Sequence, residues 1–269
     1  MTVGISECRC ILVIGATAGI GRALALAIHD LPSKPDVIVG GRRKERLDEL
    51  TKTSDRIKGV QVDVSANRAA LQAFVKDTIS AYPDLDAVIF SSGIQHMFDF
   101  KSPEKVDLDL LDSEIVTNYT SIVTLCTLFL PHFLKLSESD RPSFLIPVSS
   151  GLAFVPAPWV PNYAATKAAI HSFSISLGVQ LSSTKVRVLE LAPPLVESEL
   201  HDHQGTTPAL SKFWMPLSEF TEKAMAGLIN GDTQIAIGQA AVGWEAHEKG
   251  KEEKASQSYA QLGKLFGQS

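Results

Sequence analysis

Short apolar runs alternate with longer stretches of helical period along most of the chain. Cys10–Ile14, 37–40, 59–64, Leu85–Phe90, 144–148, 186–191 and 233–237 each have the length and apolar density of a strand buried on both faces. Between them, 22–30, Lys44–Thr51, 67–81, 104–136, 162–180 and Leu217–Asn230 read as helices, with Pro131 expected to disturb the fourth near its end. This alternation predicts a Rossmann-type, doubly wound α/β fold. It should hold about seven parallel strands with helices on both faces, in a single domain over 1–269. Ligands of such sheets bind at the carboxyl ends of the strands. Residues 245–254, dense in both charges, predict a solvated helix face, and 267–269 a polar tail. Periodicity fails between 194 and 216, where Phe213, Trp214 and Met215 suggest a lid over an apolar ligand.

The strand ends carry the candidate chemistry. Cys10–Ile14 runs into Gly15, Ala16, Thr17, Ala18, Gly19, Ile20 and Gly21, and then a helix. Gly15 permits a tight turn, Gly19 lets a pyrophosphate approach the backbone, and Gly21 lets helix and strand pack closely. The helix start presents free N–H groups to phosphate. The same glycines also satisfy a purely structural turn. After strand two come Arg42 and Arg43 in place of a carboxylate, which favours a ribose 2′-phosphate and hence NADP(H). The alternative is that they only begin a solvated helix. Asp63 either accepts a hydrogen bond from an adenine amino group or caps the helix that follows. Ser91, Ser92 and Gly93 are small where a cofactor would cross the strand ends.

Ser149 and Ser150 follow strand five, and Tyr163 stands thirteen residues after Ser150 with Lys167 four further on. On a helix Tyr163 and Lys167 share a face. An ammonium beside a phenol favours phenolate and should lower the tyrosine's pKa toward working pH, making it a general acid or base. Asn118 lies in the long helix just before an apolar run, as an inward packing residue or part of a polar relay. Gln95, His96, Phe154, Trp159, Phe213 and Trp214 are candidates to line a substrate pocket; ordinary core or loop packing explains each of them as well. The pair His201 and His203 lacks further ligands at a fitting spacing, so no metal site is expected.

Taken together over about 10–237, these motifs resemble the short-chain dehydrogenase/reductase family, most closely its NADP-preferring cytosolic branch. The resemblance implies that Gly15, Gly19 and Gly21 form the cofactor turn and that Asp63 and Val64 meet the adenine. It implies that Asn118, Ser150, Tyr163 and Lys167 form a catalytic tetrad. In that tetrad Lys167 would hold the nicotinamide ribose and Asn118 a water that relays protons. Pro193, Val196 and Ser198 would hold the nicotinamide carboxamide. The implied activity is NADPH-dependent carbonyl reduction, reversible as an alcohol dehydrogenase, in a homodimer or homotetramer. A non-redox reaction on the same fold, or a retired NADP-binding regulator, are the alternatives. The chain departs from the family pattern at Ile14 for threonine, Ser91-Ser92 for Asn-Ala, Pro194 for glycine and Ser198 for threonine.

Composition adds only limits. Of 269 residues, 45% are hydrophobic and 20% charged, and the net charge of −5 comes without a basic block, so neither nucleic acid nor an anionic membrane is an expected partner. The longest apolar stretch, 122–134, falls short of a bilayer span, and no leader pattern opens the chain. Three cysteines, Cys8, Cys10 and Cys126, suit a reducing, cytoplasmic setting without a disulfide framework.

Overall fold

The computed structural model describes residues 3–265. In chain order the elements are β1 (Cys10–Ile14), α1 (Gly19–His29), β2 (Asp36–Gly41), α2 (Lys44–Thr51), β3 (Ile57–Gln61), α3 (Arg68–Ala81) and β4 (Leu85–Phe90). There follow α4 (Leu108–Ile115), α5 (Ser121–Glu138), β5 (Ser143–Pro147), α6 (Pro161–Gln180), β6 (Val186–Val188) and β7 (Glu190–Ala192). The chain continues with α7 (Thr207–Leu210), α8 (Leu217–Asn230), β8 (Gln234–Ala236), α9 (Gln239–His247) and α10 (Lys251–Leu265). Among the described residues, six strands form a parallel sheet in the order β3-β2-β1-β4-β5-β6, with β7 and β8 paired beside it.

The two-residue period of the strands divides the core into two layers. Ile11 and Val13 of β1, Val37 and Val39 of β2, and Phe144 and Ile146 of β5 pack on one face with Leu24 and Ile28 of α1 and Phe220 and Leu228 of α8. Leu12 and Ile14, Ile38 and Leu145 pack on the other with Leu71 of α3, Phe129 and Phe133 of α5, and Ile170 of α6. The expected α/β architecture is therefore the observed one.

Several bounds differ for identifiable reasons. Helix α1 begins at Gly19, inside the glycine turn, because the turn itself supplies the first helical residues. Strand β3 ends at Gln61, two residues before Asp63, and Asn67 caps α3 by accepting from the Ala70 N–H (3.0 Å). Asp63 instead binds the N–H and hydroxyl of Ser65, so it does not cap that helix. The long helix starts at Leu108 and contains a π turn at Val116–Thr120, the kind of widening that marks functional sites in helices. Pro131 sits inside α5 without ending it. The run Leu108–Glu138 spans 31 residues, long and apolar enough by composition to cross a bilayer. Its Ile122, Leu125, Cys126, Phe129 and Phe133 are buried in the core.

The sixth expected strand is split. Pairing with β5 ends at Val188, and from Glu190 the chain pairs with β8, while a bridge from Val148 to Leu191 keeps the two sheets continuous. The stretch 245–254 is not one solvated face. Gly250, at φ +83°, separates α9 from α10, and Glu248 beside it is buried. The expected tail 267–269 lies outside the described residues.

Candidate active site

A cavity of about 1010 Å³ runs along the carboxyl ends of the strands. One end is lined by Gly15, Thr17, Ala18, Gly19, Ile20, Gly21, Arg42, Arg43, Asp63 and Val64. Ser91, Ser92, Gly93, Pro193, Val196 and Ser198 line its middle, together with Ser150, Tyr163 and Lys167. Every residue the sequence assigns to a cofactor thus faces one continuous space.

The glycine turn fits a dinucleotide on its own geometry. A Cβ at Gly21 would lie 2.3 Å from the Gly15 carbonyl oxygen, and one at Gly15 would lie 2.6 Å from the Ser92 nitrogen. No side chain that small a gap excludes could be accommodated, so the backbone itself is the floor of the cradle. Gly15 and Gly19 have φ of +90° and +50°. Ala18 precedes α1 without a side-chain cap, which leaves the helix start open to an anion. Ile14, where the family has threonine, makes its link to the region after β4 through the backbone: the Ser91 N–H donates to its carbonyl (2.8 Å).

The polar tetrad is brought together from three places. Ser150 follows β5, and its hydroxyl accepts from the Leu152 N–H (3.1 Å). Tyr163 and Lys167 lie on α6, whose first residue, Pro161, has the φ that a helix start needs. Lys167 Nζ donates to the Val148 carbonyl (2.8 Å) and lies 5.4 Å from the centre of the Tyr163 ring. Asn118 is buried in the π turn. Its Oδ1 accepts from Ile94 N–H (2.9 Å), while Nδ2 donates to Ile94 O (2.8 Å) and Thr166 Oγ1 (3.2 Å). It braces the loop after β4 against the helix that carries Tyr163.

Charge in the site runs against one expectation. Burial pushes the Tyr163 phenol well above its ordinary value; the Ser150 hydroxyl opposes this, and the buried charge of Glu114 adds to it. Burial also lowers Lys167, to about 8, against the pull of a nearby Glu190. The lysine's contact is with the ring face rather than the phenol oxygen.

The far end of the cavity is lined by Gln95, His96, Leu152, Val155, Trp159, Leu195, Leu200 and Leu210, and by Val242, Gly243 and Ala246 of α9. Gln95 is anchored: its Oε1 accepts from His201 Nδ1 (2.9 Å), and its carbonyl accepts from Gln204 Nε2. His96 is held by Glu114, which receives its N–H and lies 3.1 Å from its Nδ1. Glu114 also accepts from Asn162 Nδ2 (2.7 Å). Three of the expected pocket residues do not line the cavity. Phe154 is turned inward and packs edge-on to His171, with ring centres 4.9 Å apart. Phe213 stands 81% exposed, and Trp214 half-buried, beyond the cavity wall. The base of the lid explains this. Met215 pairs with Leu195 and Glu197, so the chain is drawn back to the sheet just after Trp214 and the inward positions fall to Leu200 and Leu210.

Sequence reading missed Glu114, Glu190, Glu199 and α9. Glu190 had a signal, as a carboxylate within an apolar strand: it meets His171 Nδ1 at 2.8 Å, and Glu248 meets the other ring nitrogen at 2.9 Å. Glu114 had none, since it follows Asp107, Asp109 and Asp112 on what looks like an acidic surface. The cysteines are free and buried, and among the described residues no three His, Cys, Asp or Glu side chains are grouped to hold a metal.

Comparison with known proteins agrees with this geometry. The family model for short chain dehydrogenase matches residues 9–209. The uncharacterized oxidoreductase DltE of Bacillus subtilis is 36% identical over 84% of this chain and 86% of its own. The NADP-dependent 3-hydroxy acid dehydrogenase YdfG of Shigella flexneri is 30% identical over 69% and 72%. The closed form of a serine dehydrogenase complexed with NADP+ superposes with a TM-score of 0.70 at 26% identity, over 79% of this chain and 86% of that one. A parallel sheet in this order, a glycine cradle at its first strand end and a family match across both place the chain in the short chain dehydrogenase family of oxidoreductases.

Proposed function

We propose that this protein is an NADPH-dependent carbonyl reductase, reversible as an alcohol dehydrogenase, acting on a ketone or secondary alcohol of apolar or aromatic character. The observation that carries the reading is the convergence of Ser150, Tyr163 and Lys167 on the wall of the same cavity as the glycine cradle and Arg42 and Arg43. The relatives named for NADP lend support to the cofactor choice.

The glycine turn and the start of α1 would hold the pyrophosphate, and Arg42 and Arg43 would face the 2′-phosphate. When bound, the nicotinamide supplies or takes the hydride. Ser150 would donate a hydrogen bond to the substrate carbonyl oxygen. Tyr163 would give that oxygen its proton, and the burial that keeps its phenol protonated suits this acid role in the reducing direction. Both groups would stabilise charge growing on the oxygen, the main electrostatic task of the step. Lys167 would hold the ribose from its seat on the Val148 carbonyl. Asn118 would keep the loop after β4 and the Tyr163 helix in register. Leu152, Val155, Trp159, Leu200 and Val242 would favour an apolar substrate.

Titration with NADPH and NADH, followed by a panel of aliphatic and aromatic ketones, tests this. Tight NADPH binding and NADPH oxidation with some ketone are expected. Tyr163→Phe should keep the binding and lose at least about a hundredfold in turnover. Binding of neither nucleotide, or full turnover by Tyr163→Phe, would refute the reading.

A further inference from the structure

Arg43, the second of the two arginines after β2, and Arg46 of α2 are already engaged by a carboxylate from the other end of the sequence. Arg43 Nη1 donates to Glu199 Oε2 (2.8 Å), and Arg46 Nη1 donates to Glu199 Oε1 (2.5 Å). Arg43 also directs Nε and Nη2 at the Thr17 hydroxyl (3.1 and 2.8 Å), and Arg46 Nη1 reaches the Thr17 carbonyl (3.4 Å). Thr17, Arg43 and Glu199 all line the cavity at its glycine-turn end. One residue before Glu199, Ser198 lies over the turn: its Cβ would sit 3.2 Å from a Cβ on Gly19. Arg46 first, then Arg43, hold the Glu199 carboxyl below the usual carboxylate range, so it is an anion at neutral pH.

An anion with two oxygens, each taking an N–H from a different guanidinium, occupies those donors as a phosphate would. We propose that Glu199 is an internal competitor for Arg43 and thereby sets the discrimination between nucleotides with and without a 2′-phosphate. This rests on the reading that a dinucleotide binds with its adenosine ribose beside Arg42 and Arg43. The 2′-phosphate must take the Arg43 guanidinium from Glu199, or share it at the expense of like-charge repulsion, while Arg42 has no such competitor. A nucleotide with a free 2′-hydroxyl leaves the pair intact. Glu199 therefore weakens NADPH binding and leaves NADH binding nearly untouched, narrowing the preference that the arginines create.

Glu199 opens a short turn, Glu199–Gln204, in which Leu200 packs on Val160 and Tyr163 while His201 and Gln204 hold Gln95.

The test is equilibrium binding of NADPH, NADH, adenosine 2′,5′-bisphosphate and 5′-AMP to the wild type and to Glu199→Gln. The substitution keeps the shape, removes the charge and falls on a side chain 43% exposed, so folding is not at stake. Glu199→Gln should tighten NADPH and the 2′,5′-bisphosphate by about three- to fivefold, the upper scale of a partly exposed charge pair. NADH and 5′-AMP should stay within about twofold. A wild type that prefers the 2′-phosphate, with the same ratio in Glu199→Gln, would overturn the competitor role and leave the function proposed above standing. A wild type and a Glu199→Gln that both bind the 2′,5′-bisphosphate no better than 5′-AMP would overturn both the competitor role and the NADPH preference.

Discussion

The two ends of the cavity are built on different principles. The glycine-turn end is made of strand ends and helix starts, each residue fixed within a few positions of a parallel ladder. The far end is made of loop 152–159, the lid and α9, and is fixed by contacts between distant parts of the chain. His201 meets Gln95 across 106 residues, and His171 meets Glu248 across 77. On the function proposed above, a scaffold that holds the chemistry on the sheet and the substrate wall on loops would exchange one without disturbing the other. Tyr163 and Ser150 stand where the two meet.

The largest effect should come from breaking the ladder-fixed end. Gly21→Ala would place a methyl 2.3 Å from a backbone oxygen with no room to move. It should destabilise the fold by about 1–3 kcal/mol in urea unfolding and raise the Kd for nucleotide at least about tenfold. An unchanged Kd would show that the cradle is looser than its geometry.

The second concerns the clasp that ties the loop-built end to the sheet. His171 on α6 lies between Glu190 of β7 and Glu248 after α9. Burial alone would depress the imidazole, but Glu190 and then Glu248 together hold it above its ordinary value. That stability is fully present below the unfolded value of about 6.5 and is lost as pH rises through the raised folded value. The Tm of the wild type should therefore fall across that window. His171→Gln should remove the slope and lower stability at pH 6 by about 3 kcal/mol, as unpairing a buried charge does. It should also raise KM more than nucleotide Kd, because α9 is the element released. Equal slopes in the two proteins would refute the clasp.

The smallest effect tests the independence of the loop-built end. Trp159 is 60% exposed on the cavity rim. Trp159→Ala should change stability by no more than about 0.5 kcal/mol and nucleotide Kd by less than about twofold. It should raise KM for an aromatic ketone by about tenfold. A matching rise in nucleotide Kd would show that the two ends are not separable.

Legibility from sequence followed the same division. Helix α2, helix α8 and strands β1 and β4 stand at the bounds their patterns predict, because a local period fixes them. The residues expected at strand ends all reach one cavity, since a parallel sheet puts every such end on one edge. The far end defeated the same reasoning. Phe154 and Trp159 belong to the same apolar loop, yet one packs on His171 and the other faces the cavity. Helix α9, QAAVGWEAH, has no apolar stripe to announce it, and Glu248 looks like its charged neighbours until His171 is placed against it. The tyrosine's direction differs from the expected one for a related reason: spacing shows that Lys167 is near, and only the fold shows that the phenol is buried, which pushes it up.

The sequence by itself determined the alternation of strands and helices from β1 to α3, the glycine turn, the arginines after β2 and the shared helix of Tyr163 and Lys167. Those depend on hydrophobic period and on spacing along one element, which are local properties. Tertiary structure alone decided which side chains wall the substrate end, which carboxylates are buried and that Glu199 reaches the arginines. Each of those depends on the path of a loop between fixed ends, and many paths satisfy the same local pattern until packing selects one.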